Sequence, residues 1–271
     1  MADMKGRVLI AAGSDSGGGA GIQADIKAVT ALGGFAMTAI TALTAQNTRG
    51  VFDIHDVPED FVAQQMKLVL DDLGADCIKL GMLHRPEIIE TVVSVLEEFA
   101  PGIPVVADPV MIAKGGHALL ADEAQEALMS RLLPAATLIT PNIPEAEVLT
   151  GMKISGVDDM AGVAEALLAM GPKAVLVKGG HLENTETVCD ILVTKDSDWA
   201  FEAARIDTTN THGTGCTLAS AIACGIAQGM ELPDAVARAQ AYVIEAIRTN
   251  PGFGAGHGPL NHAHTVSDFQ G

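Results

Sequence analysis

The chain has 271 residues, 48% hydrophobic but only 3% aromatic, and its 16 Lys and Arg against 34 Asp and Glu leave a net charge of −18. That length is enough to bury a large core, here built from Ala, Val, Leu and Ile rather than rings. So acidic a chain repels polyanions, which argues against nucleic acid and anionic membranes as partners, and no apolar run reaches the roughly 18 residues that span a bilayer.

The opening Met1-Ala2-Asp3-Met4-Lys5-Gly6 lacks the apolar core of a signal peptide, so a cytoplasmic protein is expected. Cys77, Cys189, Cys216 and Cys224 show no C-x-x-C spacing. On one helix, Cys216 and Cys224 would stand about 12 Å apart at ~1.5 Å per residue, too far to bridge. No disulfide framework is expected.

Arg7 to Ala12 (RVLIAA) is an apolar run that reads as a buried strand. The loop Gly13-Ser14-Asp15-Ser16-Gly17-Gly18-Gly19-Ala20-Gly21 follows, then Ile22 to Leu32 repeats with helical period. Strand, glycine loop and helix open an α/β fold. The loop departs from the G-x-G-x-x-G dinucleotide fingerprint, and no acidic residue ends a second strand at the expected distance. What it offers is close backbone approach to a small ligand, with Asp25 on the first helical turn beside it.

Met37 to Ala45 and the alternating Val51 to Val57 read as two strands joined at Asn47-Thr48-Arg49-Gly50, a small hairpin near 37–57 projecting from the main sheet. A helix runs from Pro58 to about Leu73. Regular alternation follows: strand 77–80 into Gly81-Met82-Leu83, a helix from Pro86 to Phe99, strand 104–107 into Asp108-Pro109-Val110-Met111, strand 137–140 into Pro141-Asn142-Ile143-Pro144-Glu145, and strand 174–177 into Lys178-Gly179-Gly180-His181. This predicts a mainly parallel sheet with right-handed crossovers. Thr187 to Thr194 and Trp199 to Ile206 read as later strands, antiparallel at an edge. Helices from Gly215 to Gln228 and from Pro233 to Arg248 close a single domain over 1–271, with no linker or repeat.

Each polar or glycine-rich cluster falls just after a strand, and in a parallel sheet those positions share the carboxyl edge where open α/β folds bind ligands. Asn210-Thr211-His212-Gly213-Thr214-Gly215-Cys216-Thr217 joins them. Gly213 and Gly215 let the backbone turn sharply and the next helix adds its positive end, which makes an anion hole. The alternative is an ordinary helix start with a packed cysteine. At a helix N-terminus the Cys216 thiol is expected to ionise more readily than usual. Asn142 and Glu145, three apart at a helix start, suit either the water shell of a Mg²⁺ ion or a capping box. Lys178 after a buried strand needs an anionic partner, and Asp108 before Pro109 is a turn residue or a site residue. Lys114, in a second Lys-Gly-Gly-His, reads as a solvated loop lysine. His257, His262 and His264 read as tail packing rather than a metal site.

The stretches Gly13 to Asp25, Thr44-Ala45-Gln46-Asn47-Thr48, Lys79-Leu80-Gly81-Met82, Asp108 to Met111, Thr140 to Ala146, Lys178 to His181, Asn210 to Thr217 and Gly256 to His262 occur in the same order in a known family. In them the chain resembles the hydroxymethylpyrimidine/phosphomethylpyrimidine kinases of thiamine biosynthesis, in the ribokinase-like superfamily. The resemblance implies a three-layer α/β sandwich with a mostly parallel central sheet. It implies ATP and Mg²⁺, and two successive transfers, to 4-amino-5-hydroxymethyl-2-methylpyrimidine and then to its monophosphate. It places Gly13, Ala20, Asp25, Gln46, Met82 and Val110 at the pyrimidine. It places Asp108, Lys178, His212 and Thr214 at ATP, Asn142 and Glu145 at the metal, and Gly213, Gly215 and Cys216 with Lys178 at the reacting phosphoryl group. The alternatives are a pyridoxal kinase of the same superfamily and a non-catalytic nucleotide-binding regulator. Many sugar kinases of the superfamily carry Asp where this chain has Cys216, which leaves no conventional base there. A homodimer through the 37–57 hairpin is also expected.

Overall fold

The computed structural model describes residues 4–111, 119–121, 123–182 and 185–266. Lys114 and its Lys-Gly-Gly-His motif lie outside them. The strands are β1 (Arg7–Asp15), β2 (Phe35–Asn47), β3 (Gly50–Asp56), β4 (Cys77–Leu80), β5 (Val105–Ala107), β6 (Leu138–Ile139), β7 (Ala174–Val177), β8 (Thr187–Thr194) and β9 (Asp198–Ala204). They form one sheet in the order β3-β2-β1-β4-β5-β6-β7-β8-β9. Pairing is parallel from β2 through β1, β4, β5 and β6 to β7, and antiparallel at both margins.

The short central strands are buried along their whole length because helices cover both faces, which is why they read as unbroken apolar runs. One covering layer holds α2 (Glu59–Asp72), α3 (Pro86–Phe99), α6 (Ile143–Thr150) and α7 (Val157–Leu168). It also holds α4 (Ala124–Ala127), which passes through a π-turn at Leu128–Leu132 into α5 (Leu133–Ala135). The other layer holds α1 (Gly21–Ala31), α8 (Thr214–Ala227) and α9 (Leu232–Arg248). In α3 the buried set Ile88, Ile89, Val92, Val93, Val95 and Leu96 follows helical spacing, and each such side chain stabilises the fold by roughly 1.5–3 kcal/mol. The body of α8 is made of small apolar residues, so it lies close against the sheet and against α9. A Cβ at Gly225 would stand 2.8 Å from the Cβ of Ala235.

Two differences from the sequence reading bear on the site. Gly13-Ser14-Asp15 is not loop: β1 continues through it, past a register shift between Ala12 and Ser14, because the 13-residue β2 offers it a template (Ser14 opposite Leu43, Asp15 opposite Thr44). For the same reason the hairpin does not project from the sheet. β2 pairs with β1 from Phe35 to Thr44, so β2 and β3 form the sheet's own margin, and only the Gln46–Val51 tip extends past β1.

Candidate active site

The chain leaves β1 for β2 on one side and later returns to β4 on the other. Such a switch opens a crevice at the carboxyl ends of the strands. Around it stand the end of β1, Gly81 after β4, Asp108 after β5, Asn142 after β6, Lys178 after β7 and the start of α8.

The glycine loop is folded around one carboxylate, that of Asp15. Its Oδ1 accepts from the N–H of Gly17 (2.7 Å), and its Oδ2 from those of Gly19 (3.0 Å) and Ala20 (2.8 Å). His212 Nε2, from the turn before α8, meets the same Oδ2 at 2.9 Å. Burial alone would raise this carboxyl's pKa, but the bonds from His212, Ala20 and Gly17 outweigh it and hold Asp15 below the usual carboxylate range. The two loops touch so closely that a Cβ at Gly213 would collide with the carbonyl of Gly19; with φ at 84°, only glycine serves there.

Two lysine–aspartate pairs lie below and beside this junction. Lys79 is wholly buried in β4, with Nζ 3.0 and 2.9 Å from the two oxygens of Asp25, whose Oδ1 also accepts from Ser220 at 2.7 Å. Asp25, placed at the pyrimidine by the resemblance, is thus fully buried and bonded inward. Lys178 Nζ lies 2.7 Å from Asp108 Oδ1, which also takes the hydroxyl of Thr140 at 2.9 Å. Burial would lower the pKa of Lys178, but Asp108 and Glu145 outweigh it and keep the ammonium charged. A Cβ at Gly215 would stand 3.1 Å from Lys178 Nζ and 3.3 Å from Asp108 Oδ2. The anion-hole turn and Lys178 therefore share one corner.

Asn142 and Glu145 form a reciprocal capping box on α6: Asn142 Oδ1 accepts from Glu145 N at 3.0 Å, and Glu145 Oε2 accepts from Asn142 N at 2.8 Å. Glu145 Oε1 also faces the Met111 N–H at 3.4 Å. Burial, with Asp108 adding to it and Lys178 opposing, pushes the Glu145 carboxyl up to about 7. Among the described residues no cluster of three His, Cys, Asp or Glu could hold a metal ion. His262 packs on Tyr242, its Nδ1 3.1 Å from the phenol oxygen, while His257 Nδ1 lies 3.3 Å from the Thr209 carbonyl.

Cys216 is the third residue of α8, and Thr214 the first. The sequence reading expected its thiol to ionise easily; instead burial pushes it up to about 11, with Asp25 and Asp108 adding to the effect and Lys79 opposing it. Loss of water outweighs the helix end, so the thiol is neutral at pH 7.

On the β1 side, Gly13 faces Met82: a Cβ there would meet Met82 Cε at 2.9 Å. Met82 and Val110 share a small apolar cluster with Ala42, Val51, Ile54 and Leu119. Ala20 and Gln46 stand at the Asp15–His212 junction, bonded to Asp15 and His212 respectively. The sequence reading did not single out Asp15 or Lys79. Lys79 had a signal, since a charge inside the apolar run Cys77-Ile78-Lys79-Leu80 must be paired. Asp15 was hidden inside what read as a loop.

With this geometry in hand, comparison with known proteins decides the family. The family described as phosphomethylpyrimidine kinase matches the chain over residues 15–261. The chain belongs to that family. It is 46% identical, over 96% of each chain, to the hydroxymethylpyrimidine/phosphomethylpyrimidine kinase of Streptomyces coelicolor. It is 51% identical over 98% of its length to the thiamine biosynthesis bifunctional protein ThiED of Geobacter sulfurreducens, of whose length it spans about half (54%). The crystal structure of phosphomethylpyrimidine kinase from Clostridium difficile overlays with a TM-score of 0.80 at 46% identity, covering 90% of this chain and 100% of that one. An ADP complex of Bacillus subtilis pyridoxal kinase overlays at 0.87 with 34% identity, covering 96% and 98%. The ribokinase-like fold and the phosphotransferase class are common to these kinases, and ATP is the phosphate donor the family implies.

Proposed function

We propose that this chain transfers phosphate from ATP to the hydroxymethyl group of 4-amino-5-hydroxymethyl-2-methylpyrimidine, then to the resulting monophosphate to give the diphosphate. The observation that carries this is the corner where Gly215 adjoins both Lys178 and Asp108. An ammonium held charged stands there beside a helix N-terminus whose first N–H groups have no intrahelical partners. Charge developing on a migrating phosphoryl group would be met there by fixed dipoles, the largest contribution a protein makes to such a reaction.

The acceptor ring would lie against Gly13, Met82 and Val110, with Ala20 closing one side and Gln46 offering a donor and an acceptor to the ring edge. Thr214 and Lys178 would face the ATP phosphates. For Mg²⁺, the fit lies in two buried carboxylates that act on each other: burial, with Asp108 adding to it against Lys178, raises the Glu145 carboxyl, and a divalent cation favours its charged form. Glu145 and Asn142, whose side chains are engaged in their cap, would meet the ion through water. The ion, when bound, neutralises charge on the nucleotide phosphates.

A neutral Cys216 explains how one site takes two acceptors. The hydroxymethyl group brings a proton, whereas the monophosphate arrives as an anion that needs no base and that a fixed carboxylate would repel. The test is Cys216→Asp assayed on both steps. The monophosphate step is expected to fall by at least ten times more than the alcohol step, roughly 1.4 kcal/mol of added repulsion. Equal losses would refute this role.

A pyridoxal kinase is the second reading, favoured by the higher TM-score of the Bacillus enzyme. The identity to the pyrimidine kinases is higher, 46–51% against 34%. Kinetics on the two alcohols separate the readings. Intact Lys178, Asn142 and Glu145 together argue against a non-catalytic nucleotide-binding regulator, which absence of ATP turnover with both alcohols would favour. We also infer a homodimer through the β2–β3 margin, because Leu43, Phe52, Phe61 and Leu68 are exposed on these strands and on α2. Sedimentation of Phe52→Lys against the parent chain tests it.

A further inference from the structure

Gln46 lies at the outer end of β2, its backbone pinned by Ser16, which both donates to the Gln46 carbonyl and accepts from the Gln46 N–H at 2.9 Å. Its side-chain amide is held between two neighbours. The end placed as Nε2 lies 3.3 Å from His212 Nε2, and the end placed as Oε1 lies 3.0 Å from Thr44 Oγ1. The two ends of a carboxamide have nearly the same shape and are told apart by what they bond. Two hydrogen-bond chains, one on each side, decide which is which.

The first begins at Asp15. Its carboxylate accepts only, and His212 Nε2 stands 2.9 Å away. That nitrogen must therefore carry a proton and donate it. The same N–H repels an amide NH₂ but can share its proton with a second, more distant oxygen in a three-centre bond, so the end of Gln46 facing His212 at 3.3 Å is the oxygen. The second begins at the Ser14 carbonyl, which also accepts only and takes the Thr44 hydroxyl at 3.0 Å. With its one proton committed there, Thr44 Oγ1 has only lone pairs for Gln46, so the end facing it is NH₂. The two chains share no atom, yet they agree. Reversed, the amide would set N–H against N–H at His212 and leave Thr44 one proton for two acceptors.

We propose that Asp15, His212 and Thr44, with the Ser14 carbonyl, are a positioning set that fixes the direction of the Gln46 amide and so the order of acceptor and donor shown to the substrate ring. This rests on the reading that Gln46 meets that ring. By count, Oε1 keeps one lone pair and Nε2 one N–H for a ligand. The matching chemistry is an amino group beside an unprotonated ring nitrogen, with the amino group toward His212. A 4-oxo ring in its lactam form carries a carbonyl beside an N–H, the same two positions in reverse order. A pyridoxal-type ring has its hydroxyl between two carbons and answers only half of the pair. Opposed polar groups in a closed site are penalised far more than a missing contact, so the 4-amino compound is favoured over the 4-oxo compound by at least about 100-fold in kcat/KM.

The experiment measures kcat and KM for 5-hydroxymethyl-2-methylpyrimidines bearing a 4-amino or a 4-oxo group, with the parent chain, Thr44→Val, Thr44→Ser, His212→Phe and Gln46→Leu. Thr44→Val removes the lone pair that orders the NH₂ end and frees the amide to turn. The amino/oxo ratio is expected to fall by about ten-fold, through KM rather than kcat, while Thr44→Ser keeps it. His212→Phe frees the other end and gives the same collapse, and carries the test if Thr44→Val does not fold. A ratio unchanged in both, with Gln46→Leu still raising KM for the amino compound, overturns the proposal. A Gln46→Leu variant with unchanged KM overturns instead the reading that Gln46 meets the ring, and the proposal with it.

Discussion

The two buried lysine–aspartate pairs have the same composition and opposite surroundings. Lys79 and Asp25 are sealed: both side chains have no exposure, both carboxylate oxygens face the ammonium, and Ser220 completes the set. Lys178 and Asp108 stand at the rim, 13% and 4% exposed, and their contact uses a single carboxylate oxygen, Oδ1, already shared with Thr140. Asp108 Oδ2 and the ammonium both lie beside the backbone of Gly215, where no side chain intervenes. A sealed pair satisfies itself and serves the fold, whereas a pair that leaves an oxygen and an ammonium beside a bare glycine has capacity left for a ligand. The difference lies in where each lysine sits: Lys79 points from within a strand, Lys178 just past the end of one.

The comparison breaks most visibly at Lys178. If the rim pair serves the reaction, Lys178→Ala lowers kcat by about 10²–10³-fold and destabilises the fold less than loss of Lys79 does, because Asp108 keeps the Thr140 hydroxyl. Turnover and calorimetry on the same sample check both parts. Lys79→Met is expected to invert the pattern. It strands Asp25 in the core and destabilises the fold by about 3–5 kcal/mol, read from urea midpoints. Lys79→Met combined with Asp25→Leu restores most of the stability, since removing both charges also removes their desolvation cost. A double variant no more stable than Lys79→Met alone would mean that the sealed pair does more than satisfy itself.

The edge that carries the rim pair was legible in the sequence, and the contrast between the two pairs was hidden for definable reasons. The βα alternation and the edge carrying the polar clusters follow from local patterns, apolar runs that end in Gly, Asp, Asn or Lys, whereas Lys178 was set beside the Gly213–Gly215 turn only by the family resemblance. Asp15 was obscured because β1 extends only when β2 lies beside it, a pairing no local pattern encodes. Lys79 carried its own signal, an unshielded charge in an apolar strand, but its partner Asp25 is 54 residues away. The thiol of Cys216 ran against local reasoning for the same cause. A helix N-terminus favours ionisation, but the packing around it, which no short stretch specifies, reverses the sign. Asn142 and Glu145 were read two ways, and the structure places both side chains in the cap.

Glu145 gives the smallest effect and the finest test of the rim. Its carboxyl is raised to about 7 in the folded chain against 4.5 for the ordinary group, chiefly by burial, with Asp108 adding to it against Lys178. A raised carboxyl means that the folded chain holds its proton more tightly than the unfolded one. The stabilisation is complete below about pH 4.5 and is lost as pH rises through about 7, a change of about 3 kcal/mol for a single group. Glu145→Gln keeps an oxygen for the Asn142 N–H but does not titrate, so its stability relative to the parent should increase between pH 5 and 8, as measured by urea unfolding. Lys178→Met in the parent background removes the cation that opposes the shift and should carry the decline to higher pH, because Glu145 and Asp108 would then face each other uncompensated. A flat difference between parent and Glu145→Gln across that range would show that Glu145 is ionised in the folded chain and that the rim holds its carboxylates more easily than their burial implies.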